Sequence, residues 1–490
     1  MGSEMCIRDS LTAVLYACLR IGAVVVVADA GLGLAGLTRA VRGAAPAFVI
    51  GAPPGLTAAR ALGWPGRRIS SRDLGPVLGA ALGVEASLPE LARLGAGLAL
   101  PPEPDPADLA AILFTSGSTG PAKGVRYTAA QLEALRDVLA STYDVGPETG
   151  LVAGFAPFAL LGPALGARSV TPEMDVTSPR TLTARAVAAS VLAADATVLF
   201  LSPAALANVV ATADRLEPAE HHALRRLRLL LSAGAPLSEP LLEAAAALLP
   251  DAAIHTPYGM TEGLLVTDIS LVGLRDVALD GDQIGAGGVC VGLPGAGTRV
   301  RISALDEAGR AVGEPDTQPG VTGEIVVSAR HLEDGYDRLW LTDRASRLGT
   351  TPGERWHRTG DVGHLDGAGR VWVEGRLVHV IVTETGVVTP VGTEQRIETV
   401  PLVARCALVA VGPAGVSRLV AVVETTGPRR TGLADGELAA QVRAAARRPL
   451  AAVLTVRALP TDIRHNSKID RARVARWAER VLSGGRIGRP

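Results

Sequence analysis

The sequence predicts an α/β protein: a doubly wound body of parallel sheets covered by helices, then a β-rich stretch, then a small α+β region at the C-terminal end. Three observations predict it. Helical patterns alternate with short β-branched runs from Leu11 onward, those runs are continuously apolar, and from about Gly285 they give way to short alternating strands spaced by turn residues. Continuously apolar strands belong to parallel sheets buried on both faces, whereas alternation marks strands with one buried face. In order, 11–19 reads as helix, 22–28 (GAVVVVA) as strand, 34–42 as helix and 47–50 as strand. Strand 110–114 then runs into a Gly-rich loop and a helix over 129–143, helix 188–194 leads into strand 197–201, and strand 227–231 leads through a loop into helix 239–248. The alternating strands are 299–302, 323–328 and 370–374. After Gly375, strands 407–411, 419–424 and 453–456 with helices 436–446 and 472–482 suffice for a small domain. A Pro-rich acidic connection at 101–108 and a surface loop at 427–432 punctuate the text.

Composition narrows the function. Of 490 residues, 48 are Lys or Arg and 49 are Asp or Glu, a net charge of −1 that leaves no footprint for indiscriminate binding to nucleic acid or anionic lipid. Cys6, Cys18, Cys290 and Cys406 are scattered without a CxxC pair, which fits neither a disulfide framework nor a zinc site and places the chain in a reducing cytoplasm. The longest uncharged stretch in the first hundred residues is interrupted by Arg20 and Asp29, and 151–167 carries three glycines and two prolines, so no membrane span is expected. The opening MGSEMCIRDS lacks the basic and apolar regions of a signal peptide. Residues 4–10 back-translate to GAG ATG TGT ATA AGA GAC AG, a transposon adapter of sequencing libraries. Residues 1–10 are therefore expected to be adapter-derived, with the natural protein beginning earlier than Leu11 and the large domain, 11–375, truncated at its N-terminal side.

The most informative segment is AAILFTSGSTGPAKG. An apolar strand delivers the chain into a loop bearing Thr115, Ser116, Gly117, Ser118, Thr119, Gly120 and then Lys123. Such a loop offers backbone N–H groups, hydroxyls and one positive charge to an anion, with glycine permitting close approach. It lacks the GKS or GKT ending of the common P-loop. A flexible Gly/Ser loop would read similarly, but Lys123 is one of only two lysines in the chain. The other is Lys468, in PTDIRHNSKIDR. A chain that has put arginine at nearly every basic position should keep lysine where a compact ammonium is required and a planar guanidinium will not fit.

Two further clusters are weaker alone. HTPYGMTE brings Tyr258, Thr261 and Glu262 within five residues, a ring to stack, a hydroxyl for a phosphate and a carboxylate for Mg²⁺; a strand-end turn would explain it as well. WHRTGDVGHLDGAGRVWVEGR carries Asp361 in a tight turn, able to accept from a ribose diol, and Arg376 after a strand, able to reach phosphate or sugar; an ordinary hairpin would read the same way.

Taken in order, TSGSTGPAKG, LLSAGAP, YGMTE, RTGD, GR and NSKI resemble the adenylate-forming superfamily of acyl-CoA synthetases, adenylation domains and luciferases, from about Leu11 to Leu482. The resemblance implies a large N-terminal adenylation domain over 11–375 with a β-rich subdomain, and a small mobile C-terminal domain over 376–490. It also implies ATP and Mg²⁺ as cofactors. Thr115 to Lys123 would hold the β- and γ-phosphates, while Gly234, Ala235 and Pro236 would wall the adenine, with Tyr258 packed on the base. Thr261 would touch the α-phosphate, Glu262 would bind Mg²⁺, Asp361 would hold the ribose, and Arg376 would stand at the domain boundary. Lys468 would bridge the carboxylate and the α-phosphate.

Two positions depart from the superfamily's pattern. Val378 replaces the polar hinge residue two places after the boundary arginine, and Val382 replaces a lysine further on. Drift in a tolerant loop explains this as well as loss of the thiol-transfer conformation does. AGFAPFALLGPALGARSVTPEMD with PTDIRHNSK resembles the β-lactone synthetases of bacterial olefin and β-lactone biosynthesis. That resemblance implies a long-chain 3-hydroxy fatty acid whose hydroxyl attacks its own acyl-adenylate, with other enzymes of a hydrocarbon or lactone pathway as partners. Phe155, Phe158, Leu160 and Leu161 fit an acyl pocket and equally fit core packing. His465 fits a base for the hydroxyl or a structural histidine. The other readings are a fatty acyl-CoA ligase and a non-catalytic protein with the same fold.

Overall fold

The computed structural model describes residues 2–28, 32–115, 122–175, 178–279, 287–347, 355–413, 415–427, 430–460 and 469–490, the side chains of 2–10, Ala156 and Pro157 apart. The chain forms two compact units. The first comprises Met1–Arg136, Thr261–Gly263 and His331–Arg344; the second comprises Asp137–Met260, Leu264–Arg330 and Ala345–Pro490.

In the first unit a helix, Gly2–Arg20, runs through the segment set aside as adapter-derived. A four-stranded sheet has the order Val25–Val27, Leu109–Phe114, Gly124–Thr128, Gly335–Tyr336, the first pair parallel and the others antiparallel. The strand Gly124–Thr128 is new relative to the sequence reading, which passed from the Gly-rich loop straight to the helix Ala129–Tyr143. Its side chains alternate, and its first residue, Gly124, is closely packed. A Cβ at Gly124 would stand 2.9 Å from Ile112 Cγ2 and 3.2 Å from the Phe114 ring, so those two side chains would have to shift to admit it. Beside it, Phe48–Gly51, Arg67–Ser70 and Val84–Ser87 form a parallel sheet. Its helices Pro53–Ala61, Pro76–Leu82 and Leu88–Gly95 each take proline in the first turn, where no backbone N–H is missed.

The second unit holds the doubly wound text. Five parallel strands lie in the order Ala253–His255, Leu229–Ser232, Val198–Leu201, Gly150–Ala153, Arg168–Val170. Leu199, Leu201 and Leu230 are fully buried against Val187, Val191 and Leu206 of the helices Ala184–Ala194 and Pro203–Ala211. The β-rich text forms a seven-stranded sheet in which Val289–Pro294, Val371–Arg376, His357–Leu365, Gly323–Ser328 and Arg299–Ala304 run antiparallel in that order.

Residues 376–490 build a sheet of Val403–Val411, Arg418–Thr425, Ala452–Val456 and Gly432–Leu433 with helices on both faces. Its strand residues alternate between two cores. Cys406, Leu408, Ala421 and Val423 face Ile397, Leu438 and Val442, while Ala407, Val409, Val420 and Val422 face Val474 and Trp477 of the helix Arg471–Leu482. Trp477, 1% exposed, donates its indole N–H to the Gly488 carbonyl at 2.8 Å. Among the described residues no helix is long and apolar enough to cross a membrane.

Candidate functional site

The first unit carries the two ends of the expected phosphate loop, together with Thr261 and Glu262. Thr115 N–H donates to the Lys123 carbonyl at 3.0 Å, and Lys123 N–H donates to Thr115 Oγ1 at 3.1 Å, so the base of the loop is closed by a two-way pair. Ser116, Gly117, Ser118, Thr119 and Gly120 lie outside the described residues. The Lys123 ammonium stands 5.1 Å from the centroid of the Tyr336 ring, a favourable placement of a cation on a π face. The Tyr336 hydroxyl donates to Glu262 Oε1 at 2.8 Å. Burial and the Glu262 carboxylate push the Tyr336 phenol well above its ordinary pKa, so it remains a donor. The Tyr127 hydroxyl donates to the Thr261 carbonyl at 2.7 Å, and Glu333 N–H donates to the Glu262 carbonyl at 2.9 Å. Thr261 and Glu262 are thereby tied to the sheet whose strands flank the Gly-rich loop.

The second unit carries the residues expected around nucleoside. Gly234, at φ +109°, with Ala235 and Pro236 follows the strand Leu229–Ser232 as a partly exposed turn. Tyr258, Asp361 and Arg376 meet. The Tyr258 hydroxyl donates to Asp361 Oδ2 at 2.6 Å, and Arg376 Nη1 donates to Asp361 Oδ1 at 2.9 Å. Burial first, and then the Asp361 charge, hold the Tyr258 phenol far above its usual pKa. The turn that presents Asp361 is pinned to the next strand. Arg358 Nε donates to Glu324 Oε2 at 2.7 Å, Gly360 N–H donates to Glu324 Oε1 at 3.0 Å, and Thr359 Oγ1 donates to the Ile325 carbonyl at 2.8 Å. Gly360 takes φ +71°, the left-handed conformation that favours glycine.

Lys468 and His465 lie outside the described residues, but both flanks of their segment are anchored. Leu459 N–H donates to Glu424 Oε2 and Asp470 N–H donates to the Pro460 carbonyl, each at 2.9 Å. Arg471 forms a two-pronged ion pair with Glu394, its Nε 3.1 Å from Oε1 and its Nη2 on Oε2. His379, three residues past Arg376, has its pKa pushed down to about 4 by burial and by the charges of Arg471 and Arg376.

Phe155, Phe158, Leu160 and Leu161 are half-buried. Phe158 stacks on Phe200 with centroids 3.5 Å apart, and Phe155 packs at a tilt on both rings. Phe158 and Leu161, with Leu139, Tyr143 and Leu151, line an apolar cavity of about 20 Å³, room for about one water. Tyr336, Tyr127, Glu324 and Glu394 were not found from sequence. The one signal available was for Glu324, an acidic residue inside the otherwise apolar strand GEIVVS.

Each unit thus carries its own cluster of candidate residues, Lys123, Tyr336 and Glu262 in the first and Tyr258, Asp361 and Arg376 in the second. The profile of the AMP-binding enzyme family matches residues 8–337. An olefin β-lactone synthetase of Xanthomonas campestris pv. campestris is 37% identical over 480 residues, covering 95% of this chain and 83% of that protein. One of Stenotrophomonas maltophilia is 36% identical, covering 96% of this chain and 84% of that protein. Among solved structures, the amide bond synthetase McbA from Marinactinospora thermotolerans superposes with a TM-score of 0.74 at 23% identity, covering 96% of this chain and 87% of that one. ATP-bound MatB from Rhodopseudomonas palustris does so at 0.71 and 21%, covering 96% and 86%. The chain belongs to the AMP-binding enzyme family, the ATP-dependent adenylate-forming ligases.

Proposed function

We propose that the protein activates a long-chain 3-hydroxy fatty acid as its acyl-adenylate and closes it to a β-lactone, with release of pyrophosphate and AMP. The observation that carries this reading is the similarity to an olefin β-lactone synthetase over 95% of the chain. Val378 and Val382, where the superfamily pattern has a polar hinge and a lysine, support it, because ring closure needs no thiol-transfer conformation.

In this reading Thr115 to Lys123 hold the β- and γ-phosphates, Thr261 meets the α-phosphate, and Gly234, Ala235, Pro236 and Tyr258 hold the adenine. Asp361 has lone pairs beyond those used by Tyr258 and Arg376, so ribose hydroxyls can donate to it. Glu262 gives one oxygen to Tyr336 and supplies the hard oxygen donor that Mg²⁺ takes alongside nucleotide phosphates. Bound there, Mg²⁺ would neutralise charge on the phosphates. The substrate carboxylate oxygen attacks the α-phosphorus and pyrophosphate leaves; Lys468 offsets the repulsion between the two anions as the bond forms. The 3-hydroxyl oxygen then attacks the activated carbonyl carbon, loses its proton to a base, and AMP departs. Holding hydroxyl and carbonyl on one chain makes the step intramolecular. Residues 376–490 serve as the mobile small domain. Free Cys18, Cys290 and Cys406 support a reducing cytoplasm.

Incubation with ATP, Mg²⁺ and a 3-hydroxy fatty acid tests the reading. AMP release without CoA is expected. AMP release that strictly requires CoA would establish a fatty acyl-CoA ligase instead, and failure of carboxylate-dependent pyrophosphate exchange would leave a non-catalytic protein.

A further inference from the structure

We propose that Tyr336 is a positioning residue that sets the phosphate-loop lysine and the metal-binding carboxylate against one rigid side chain, so that Mg²⁺ and the nucleotide phosphates arrive in a fixed mutual register. The inference rests on the phosphate role of Lys123 and the Mg²⁺ role of Glu262. Its geometry is independent of both.

Tyr336 is 6% exposed and uses both of its chemical faces. The ring lies 5.1 Å under the Lys123 ammonium, and the hydroxyl donates to Glu262 Oε1 at 2.8 Å. A lysine and a glutamate each have several free rotors, and neither is ordered by its own backbone. A buried tyrosine has two rotors, both filled by packing, and here it is the one side chain, among the described contacts, that touches each of them. Its backbone is held to the strand that follows Lys123. Tyr336 is the register partner of Val125 and Gly335 that of Arg126. Asp337 N–H donates to the Gly124 carbonyl and Asp334 N–H to the Arg126 carbonyl, both at 2.7 Å. An ion pair of 2.7 Å between Arg126 and Asp334 closes the same strip from its edge. The segment 334–337 therefore cannot slide against 124–126 without breaking the strip, and the tyrosine moves with the phosphate-loop strand. The hydroxyl occupies one Glu262 oxygen, and the carboxylate plane is held by that directional bond.

The experiment measures ATP affinity by titration calorimetry, with excess Mg²⁺ and with a chelator in its place, for the full chain and its variants. Tyr336→Phe keeps the ring and removes only the hydroxyl. It should leave metal-free ATP affinity within about twofold and reduce the gain from Mg²⁺ by about tenfold. Tyr336→Leu removes the ring as well and should weaken metal-free ATP too. Tyr336→Phe with an unaltered Mg²⁺ gain overturns the proposal. Glu262→Gln separates the two layers. If it abolishes the Mg²⁺ gain while Tyr336→Phe does not, the positioning role alone fails; if Glu262→Gln changes nothing, the metal-ligand reading of Glu262 fails. Should Tyr336→Phe fold poorly, Glu262→Asp draws the carboxylate back from the hydroxyl with the ring in place. It must then reproduce the reduced Mg²⁺ gain, and an unchanged gain overturns the proposal.

Discussion

Asp361 and Arg376 are register partners on neighbouring antiparallel strands, and Arg376 Nη1 lies 2.9 Å from Asp361 Oδ1. The pairing ties the ribose candidate to the residue that opens the segment 376–490. Asp361 is 8% exposed, and its second oxygen accepts from Tyr258.

Asp361→Ala takes the carboxylate acceptor from the buried Tyr258 phenol and one partner from the part-exposed Arg376 guanidinium. Unpaired buried polar groups cost about 1–3 kcal/mol each, so chemical denaturation should show a loss in that range. ATP affinity should fall at least about tenfold, or ~1.4 kcal/mol. Tyr258→Phe keeps the ring and should cost about 1 kcal/mol of stability while leaving ATP affinity within a few fold.

The two lysines should separate by step. Lys468→Ala is expected to lose carboxylate-dependent pyrophosphate exchange while binding ATP normally; unchanged exchange would refute its role. Lys123→Ala is expected to weaken ATP binding itself, and Lys123→Arg should not fully restore it, because a guanidinium can stack on Tyr336 but does not reproduce the compact point charge of an ammonium.

Much of this was legible in the sequence, and the parts that were not share a physical cause. The strands Leu109–Phe114, Val198–Leu201 and Gly323–Ser328 stand where periodicity placed them, because a continuous or alternating apolar run is a local property. Thr261, Glu262, Asp361 and Arg376 could be nominated because their neighbours form recognisable runs. Tyr336 sits in EDGYD, where nothing local marks it; its meaning comes from Lys123 and Glu262, far away in the chain. Arg471 and Glu394 are 77 residues apart, and neither residue's surroundings name the other. The strand Gly124–Thr128 was hidden because a five-residue alternation behind a Gly-rich loop reads as the loop's continuation.

Glu394 offers a stability test. It is 5% exposed, pairs with Arg471 and accepts the Leu408 N–H at 2.8 Å. Removing one partner of a buried pair costs roughly 3–5 kcal/mol, so Glu394→Ala should lose about that much in urea denaturation. Replacing both residues with Met should recover part of it, since the buried Leu408 N–H loses its Glu394 acceptor. Because Arg471 opens the helix three residues after Lys468, the double variant should fold yet exchange pyrophosphate poorly.

His379 sets a pH dependence. Its folded pKa is pushed from 6.5 to about 4 by burial and by Arg471 and Arg376, which outweigh the opposing charges of Asp470 and Asp361. Between those values the unfolded chain binds the proton and the folded chain does not, so stability falls as pH drops from about 6.5 to about 4 and this contribution levels off below. Thermal melting of His379→Gln across that window should show a shallower slope than the parent.

The central claim is that the carboxylate is adenylated and the hydroxyl closes the ring. A 3-hydroxy fatty acid carrying heavy oxygen in both carboxylate positions, incubated with ATP and Mg²⁺ in the absence of CoA, tests it by mass spectrometry of the two products. The account predicts one labelled oxygen in AMP and one in a β-lactone that is one water lighter than the acid. Unlabelled AMP beside a lactone that keeps both labels would mean that the hydroxyl was activated instead, and the absence of any lactone would contradict the account outright.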